Sequence, residues 1–183
     1  MIIEDGLKEI DYEGGTAVAI GKFDGVHAGH QRLIRKCMED KSLKSVVFTF
    51  SFSSEYFENK RERILSDEKR RDKFAELGVD YLIEYNLTNN LSHMSPEEFV
   101  REVLKKRLHC KKIVCGPDLT FGYRGKGTVD TLKSLEKELE IEVCVIEKVK
   151  YHGEDISSTR IREALKTGNV TDADNMLSGQ GEE

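Results

Sequence analysis

Apolar residues along this chain follow two alternating patterns. Short continuous runs at 16–20 (Thr-Ala-Val-Ala-Ile), 45–50 (Ser-Val-Val-Phe-Thr-Phe), 81–85 (Tyr-Leu-Ile-Glu-Tyr), 112–115 and 142–148 read as strands; such runs, rich in β-branched and aromatic residues and bounded by turn residues, mark strands buried on both faces. Between them the apolar positions recur every three or four residues. Leu33, Ile34, Cys37 and Met38 share one stripe while Arg32, Arg35, Lys36 and Glu39 face away, which predicts a helix over 30–40. Ser66 is a good N-cap, with Asp67 and Glu68 in the first turn and Gly78 past the end, so a second helix spans 67–77. Ser95-Pro-Glu-Glu98 supplies a cap, a proline at the first helical position and a capping-box carboxylate, opening a helix to 108. Further helices are expected over 129–139, over 159–166 (capped by Ser157 or Ser158 and stopped by Gly168), and from Asn169-Val-Thr-Asp172 to 177. Residues 1–15 form a lead-in with Asp/Gly turns and room for an edge strand.

Strands alternating with helices imply a Rossmann-like α/β fold: a doubly wound, mostly parallel five-stranded sheet with helices on both faces. No linker interrupts the pattern, so residues 1–183 are expected to form a single domain. In such sheets ligands bind beyond the C-terminal ends of the strands, where strand order reverses. The loops after the first and fourth strands are neighbours there, which sets His27 and His30 opposite Asp118 and the glycines behind it.

Composition narrows the partners. A net charge of −5 with 34% charged residues gives no global polyanion-binding face, so no nucleic-acid partner is expected and any phosphate site must be local. The first residues, Met-Ile-Ile-Glu-Asp-Gly, lack the basic flank and apolar core of a secretory signal. No apolar run is long enough for a membrane span, so no membrane partner is expected. Cys37, Cys110, Cys115 and Cys144 share no metal spacing; three lie in apolar helix or strand patterns and Cys110 at a strand entrance, so they read as reduced, structural thiols of a cytoplasmic protein. Oligomeric state is not written in any of these features.

Candidate chemistry concentrates where the first strand meets its helix. Gly21, Gly25 and Gly29 are spaced by four, with His27 and His30 near the end. A strand feeding a glycine-rich turn that opens a helix makes an anion site, because the first helical N–H groups lack internal partners and the dipole favours negative charge. Glycines admit a phosphate close to the backbone, and two imidazoles three residues apart can donate to the same phosphate. The turn is not a P-loop, since no Gly-Lys-Ser/Thr follows, nor is its spacing the dinucleotide fingerprint. Zinc would need a Cys or acidic partner at matching spacing, and none is present. The bland alternative makes both histidines ordinary hydrogen-bonded residues at a helix start.

A second constellation lies at 156–162, Ile-Ser-Ser-Thr-Arg-Ile-Arg. Ser157, Ser158 and Thr159 bring hydroxyls and free N–H groups to a helix start, and Arg162 brings a planar fork suited to phosphate oxygens one turn inside. Alone this reads as a Ser-capped amphipathic helix with solvated arginines. Paired with the first turn, the two helix starts can grip both ends of a triphosphate.

The segment Gly21-Lys-Phe-Asp-Gly-Val-His-Ala-Gly-His30 resembles the HxGH motif of the nucleotidyltransferase superfamily, in the form found in bacterial FAD synthetases, the N-terminal half of bifunctional riboflavin kinase/FMN adenylyltransferases. Gly116-Pro-Asp-Leu-Thr-Phe-Gly122 resembles that family's Gly-x-Asp-Phe-x-Phe-Gly segment, residues 156–162 resemble its Ser-Ser-Thr-x-x-Arg signature, and Glu-Leu-Gly-Val-Asp-Tyr at 76–81 is also similar. The likeness runs from 16 to 177, with three motifs in the expected order.

The resemblance implies a HUP-type nucleotidyltransferase that makes FAD and pyrophosphate from FMN and ATP, with Mg²⁺ carried on the substrate phosphates and no metal held by the protein itself. It implies in-line attack of the FMN phosphate on the α-phosphorus of ATP, without a covalent enzyme intermediate. His27, His30 and Arg162 would be catalytic. Gly21, Phe23, Asp24, Gly29, Ser157, Ser158 and Thr159 would form the ATP site, and Asp118, Phe121 and Gly122 would lie on the flavin or adenine side. Two departures stand out. The family usually carries a Pro-His-Pro-type segment after the second strand; here the chain reads Phe50-Ser-Phe-Ser-Ser54, followed by Tyr56 and Phe57 in a polar loop able to line a pocket. The family also normally continues into a riboflavin kinase domain, which is not expected within these 183 residues. Two other functions therefore stay open: adenylyl transfer to another phosphomonoester such as nicotinamide mononucleotide or phosphopantetheine, and a flavin- or nucleotide-binding module without turnover.

Overall fold

The computed structural model describes residues 1–4, 9–10, 12, 14–51, 63–85 and 93–179. Strand β1 (Ile2–Glu4) precedes β2 (Thr16–Ile20), helix α1 (Ala28–Cys37), β3 (Lys44–Phe50), α2 (Asp67–Glu76) and β4 (Tyr81–Tyr85). A short α3 (Pro96–Glu98) passes directly into a π-helical stretch, Phe99–Arg107, followed by β5 (Cys110–Cys115), α4 (Val129–Leu139) and β6 (Glu142–Val145). The chain closes with a small hairpin, β7 (Lys150–Tyr151) and β8 (Glu154–Asp155), then α5 (Ser158–Lys166) and α6 (Val170–Ser178).

The first six strands make one sheet in the order β1-β4-β3-β2-β5-β6, with every pairing parallel. Five strands were expected; the sixth is the lead-in, where Ile2 and Ile3 pair with Tyr81 and Leu82. The strand expected over 142–148 ends at Val145, where the Ile146 N–H closes on the carbonyl of Cys115, the last residue of β5 (2.9 Å). Beyond it, where a polar turn was expected, β7 and β8 pair antiparallel. Strand order reverses between β2 and β5, so the loops after these strands flank one crevice.

The helix starts are set locally. The side chains of Ser66, Ser95 and Ser157 accept the N–H groups of Lys69, Glu98 and Arg160, satisfying donors the helices leave open. One sheet face packs Val18, Ile20, Phe48, Ile83 and Ile113 against Val103, Leu104 and Leu132. The other packs Ala17, Ala19, Val47 and Val114 against Leu33, Ile34 and Phe74. Each fully buried Leu, Ile or Phe contributes roughly 1.5–3 kcal/mol, enough to fix where the strands end. A third, smaller cluster joins Ala28 at the start of α1 to Tyr151, Ile156, Ile161, Ala173 and Met176. That cluster brings the start of α5 beside the histidine turn.

Candidate active site

Between β2 and α1 the chain reverses sharply. Gly21 N–H makes the last ladder bond, to the Phe48 carbonyl (3.2 Å). Phe23 (φ 51°), Gly25 (φ 85°) and Val26 (φ 45°) then adopt left-handed backbone, and Val26 N–H closes the turn on the Phe23 carbonyl (3.2 Å). Such conformations are costly for a β-branched residue and persist where surrounding contacts over-determine them. Glycine is required at 25, where a side chain would also meet Ile64 at 3.0 Å. Phe23 is fully buried, edge-on to Phe74 and to His30, and so anchors the turn to the core.

His27 is the N-cap residue of α1, yet its side chain makes no capping bond. Its ring stacks on that of His30, centroids 3.6 Å apart. Gly29 allows this: a Cβ there would lie 3.3 Å from His27 Cε1. Nδ1 of His27 and Nδ1 of His30 are both buried and have no hydrogen-bond partner among the described residues. Burial pushes the His27 imidazole down to about 4. Burial also holds His30 well below the usual histidine range, with the neighbouring His27 and Arg70 charges adding to the effect. Both rings are therefore neutral at pH 7, each with one N–H to give.

From the other side comes α5. Ser157 caps it, and Ser158 Oγ donates to the Asp24 carbonyl (2.9 Å). Arg162 donates to Asp24 Oδ2 at 2.6 Å, in an ion pair whose side chains are only 13% and 15% exposed, and reaches Thr159 Oγ1 at 3.5 Å. The other Asp24 carboxylate oxygen accepts the Ile64 N–H (3.1 Å). The two helix starts expected to cooperate are thus joined through Asp24, and Gly21, Phe23, Asp24, His27, Gly29, His30, Ser157, Ser158, Thr159 and Arg162 gather in one region.

Beneath the turn lies a cluster that the sequence pattern did not single out. Arg70, fully buried on α2, donates to the carbonyls of Lys22 (3.0 Å) and Phe50 (3.1 Å) and to Glu84 Oε1 (3.2 Å). Arg71 holds the other Glu84 oxygen. Thr49 Oγ1 adds a second donor to the Lys22 carbonyl (3.0 Å). Burial lowers the pKa of Arg70 against the opposing pull of Asp67, Glu84 and Asp24, but a guanidinium keeps its charge. Two signals were available: a carboxylate inside the apolar strand Leu82-Ile83-Glu84-Tyr85, and the spacing of four that puts Arg70 on the stripe of Phe74.

The remaining candidates make their bonds elsewhere. Asp118 is exposed and pairs with Lys148 (3.0 Å), which also approaches Asp155 of the hairpin (3.8 Å). Phe121 is buried against Phe99, and Gly122 adopts φ 69° at a place where a Cβ would come within 2.9 Å of Pro96. Phe52, Tyr56, Phe57 and the departure at 52–54 lie outside the described residues. Among the described residues no group of three or more His, Cys, Asp or Glu is placed to hold a metal ion, and no helix is long and apolar enough to cross a membrane. All four cysteines are free thiols.

Known proteins resemble the chain over most of its length. The family model for FAD synthetase matches residues 9–160. A bifunctional riboflavin kinase/FMN adenylyltransferase of Listeria monocytogenes is 33% identical over 167 residues, covering 87% of this chain and 52% of that protein. An FAD synthetase of the same organism is 32% identical over 168 residues, covering 88% of this chain and 68% of its own length. The chain thus spans about half the length of the bifunctional relative. Among solved structures, one described as a macrolide-efflux protein from Streptococcus pneumoniae superposes with a TM-score of 0.81 at 31% identity, over 97% of this chain and 59% of that one. A pantoate-beta-alanine ligase of Francisella tularensis (TM-score 0.55, 16% identity, 98% of this chain and 85% of that one) shares the fold. With its family model matched over most of its length, the chain belongs to the FAD synthetase family.

Proposed function

We propose that the chain is an ATP-dependent FMN adenylyltransferase, transferring AMP from ATP to FMN to give FAD and pyrophosphate. The observation that carries this is the pair of buried imidazole nitrogens at the start of α1, unpartnered among the described residues, in a turn joined through Asp24 to the Arg162 guanidinium and the hydroxyl-lined start of α5. A phosphate oxygen of FMN attacks the α-phosphorus of ATP in line, and the bond from that phosphorus to the pyrophosphate oxygen breaks as the new one forms. Negative charge gathers on the α-phosphate and on the departing pyrophosphate, so catalysis rests on fixed donors and alignment. Neutral His27 and His30 donate N–H groups to the ATP phosphates. Arg162, Ser157, Ser158 and Thr159 hold the β- and γ-phosphates and then the leaving group. Gly21, Phe23, Asp24 and Gly29 shape the wall of the ATP site, while Asp118, Phe121 and Gly122 stand on the adenine or flavin side.

Mg²⁺ belongs to the same reading: carried on the substrate phosphates, it would neutralise part of the triphosphate charge. The donors around the turn are imidazoles, hydroxyls and a guanidinium, a set suited to phosphate oxygens, and the nearby Asp24 carboxylate is already engaged by Arg162 and Ile64. We assign residues 1–183 to a single nucleotidyltransferase unit with a cytoplasmic location.

The test is to incubate the chain with ATP, Mg²⁺ and a panel of phosphate acceptors and to identify the product by chromatography and mass. FAD is expected. A different dinucleotide would move the acceptor away from FMN, and tight nucleotide binding without product would make the chain a binding module.

A further inference from the structure

We infer that Asp24 is the positioning residue of this site: it acts through Arg162, holding that guanidinium and the start of α5 in register with the histidine turn, and does not itself bind the nucleotide. The inference rests on the adenylyltransferase reading and refines the role of one residue in it. Three bonds converge on Asp24 from two distant parts of the chain. Its carbonyl accepts Ser158 Oγ (2.9 Å), its Oδ2 accepts Arg162 (2.6 Å), and its Oδ1 accepts the Ile64 N–H (3.1 Å). Both carboxylate oxygens are therefore occupied. A carboxylate in a triphosphate site opposes the charge of its ligand, and such a group persists when it organises a cation more than it repels the substrate.

The geometry supports that trade. Arg162 stands one turn inside α5, where its fork spans Asp24 on one arm and Thr159 Oγ1, at 3.5 Å, on the other. The second contact is long and poorly holding. Without Asp24, the long guanidinium side chain has no close partner among the described residues and several rotamers to sample. With Asp24 it is fixed by a short charge-assisted bond while N–H groups remain to meet phosphate. Pre-paid alignment of a donor with a developing charge is where large rate factors arise. Part of the Arg162 charge is neutralised in exchange, so ground-state phosphate binding is weaker than it would be beside a neutral residue.

Asp24→Asn is the probe, because the amide oxygen still accepts the Ile64 N–H while the ion pair is lost. Expected is a fall in kcat for FAD formation of roughly tenfold to a hundredfold, with the KM for ATP unchanged or lower. Inorganic pyrophosphate, titrated calorimetrically, is expected to bind the variant at least as tightly as the parent. In an Arg162→Gln background the same change is expected to alter kcat by less than about twofold, since a residue acting only through Arg162 has nothing left to act on. Weaker pyrophosphate binding by Asp24→Asn, or a full additive loss in the double variant, overturns the inference. If Asp24→Asn fails to fold by circular dichroism, Arg162→Lys asks the question from the other side: it keeps the charge and loses the fork, so kcat should fall with little change in KM, and an unchanged kcat overturns the inference. A parent chain that forms no dinucleotide with any acceptor refutes the adenylyltransferase reading instead, and the pyrophosphate comparison still reports on Asp24.

Discussion

His27 and His30 stack ring on ring, 3.6 Å between centroids and 23° from parallel, with an Nδ1 on each that is unpartnered among the described residues. At that separation two imidazolium charges would repel by about 4–5 kcal/mol at an effective dielectric near 20. The stack is therefore compatible with two neutral rings and not with two cations. An arriving phosphate changes the balance, because it supplies both an acceptor and a negative charge.

Stability should fall in mild acid because of this pair. The His27 imidazole titrates at about 4 when folded, against 6.5 unfolded, so between those values the unfolded chain takes up the proton first. Its contribution to folding is complete above pH 6.5 and is lost as pH falls towards 4, a change on the order of 3 kcal/mol. His30 shifts in the same direction. Denaturant titrations of parent and His27→Gln at pH 7 and pH 4.5 should show the parent losing markedly more stability. Parallel losses would place the acid sensitivity on carboxylates.

His30→Ala and Arg162→Ala should each lower turnover by roughly a hundredfold or more, the scale of losing one transition-state donor. Gly29→Ala separates geometry from stability. Its methyl would press on His27 Cε1 at 3.3 Å, while the helix gains up to about 1 kcal/mol from replacing glycine. A thermal melt should show no loss of stability and an FAD assay a clear loss of rate. Full activity in Gly29→Ala would mean that the tilt of the His27 ring is not critical.

The buried Arg70–Glu84 pair should be far more costly to disturb than its exposed neighbour. Arg70→Met strips two backbone carbonyls and a 4% exposed carboxylate of a donor, and breaking such a pair costs about 3–5 kcal/mol. Arg71 is 45% exposed and Glu84 keeps Arg70 when it is removed, so Arg71→Ala should cost about 1 kcal/mol or less. Urea unfolding of the two variants checks the ratio; equal costs would show that Arg70 does not carry the cluster.

These contrasts also show which parts of the molecule were readable beforehand. Strands at 16–20 and 81–85 and the helix at 129–139 form as expected, Ser66 and Ser95 cap as expected, and of the two serines offered for α5 it is Ser157 that caps. Such features are written in neighbouring residues, through apolar runs, 3.6-residue spacing and side-chain capping. Strand β1 and the β7–β8 hairpin are only two or three residues per strand and exist through tertiary pairing, which leaves no period to detect. In α2 the run Asp-Glu-Lys-Arg-Arg-Asp-Lys looks solvated, and Arg70, the one turned inward, is marked only by its spacing of four from Phe74 and by the carboxylate at 84 in an apolar strand. Asp24 sat in a recognised motif, but its partners at 64 and 162 lie 40 and 138 residues away. The placement of the two histidines at a glycine-rich helix start was legible from the residues around them; their mutual stacking was not.

Gln31 carries the last expectation, since it ties the histidine turn to the end of the chain. Its Nε2 donates to the Val26 carbonyl (3.0 Å) inside the turn and to the Leu177 carbonyl (2.8 Å) near the end of α6, while Oε1 accepts from Arg35 (3.0 Å). The other side of α6 is held by Tyr151, whose hydroxyl donates to Asp172 and accepts from Asn175, at 2.9 Å each. Gln31→Leu fills the same space but leaves two carbonyls without that donor, a loss of about 1–3 kcal/mol for a buried group. The loss should be local: the tyrosine contacts keep α6 folded, and only its end is released from α1. Hydrogen exchange should accelerate at the amides of 174–178 with the central strands β2 and β5 unchanged, and turnover should fall because Val26 shapes the turn that carries His27. Uniform acceleration across the sheet would instead make Gln31 a general stability residue, and unchanged exchange would remove it as the link between the histidine turn and the final helix.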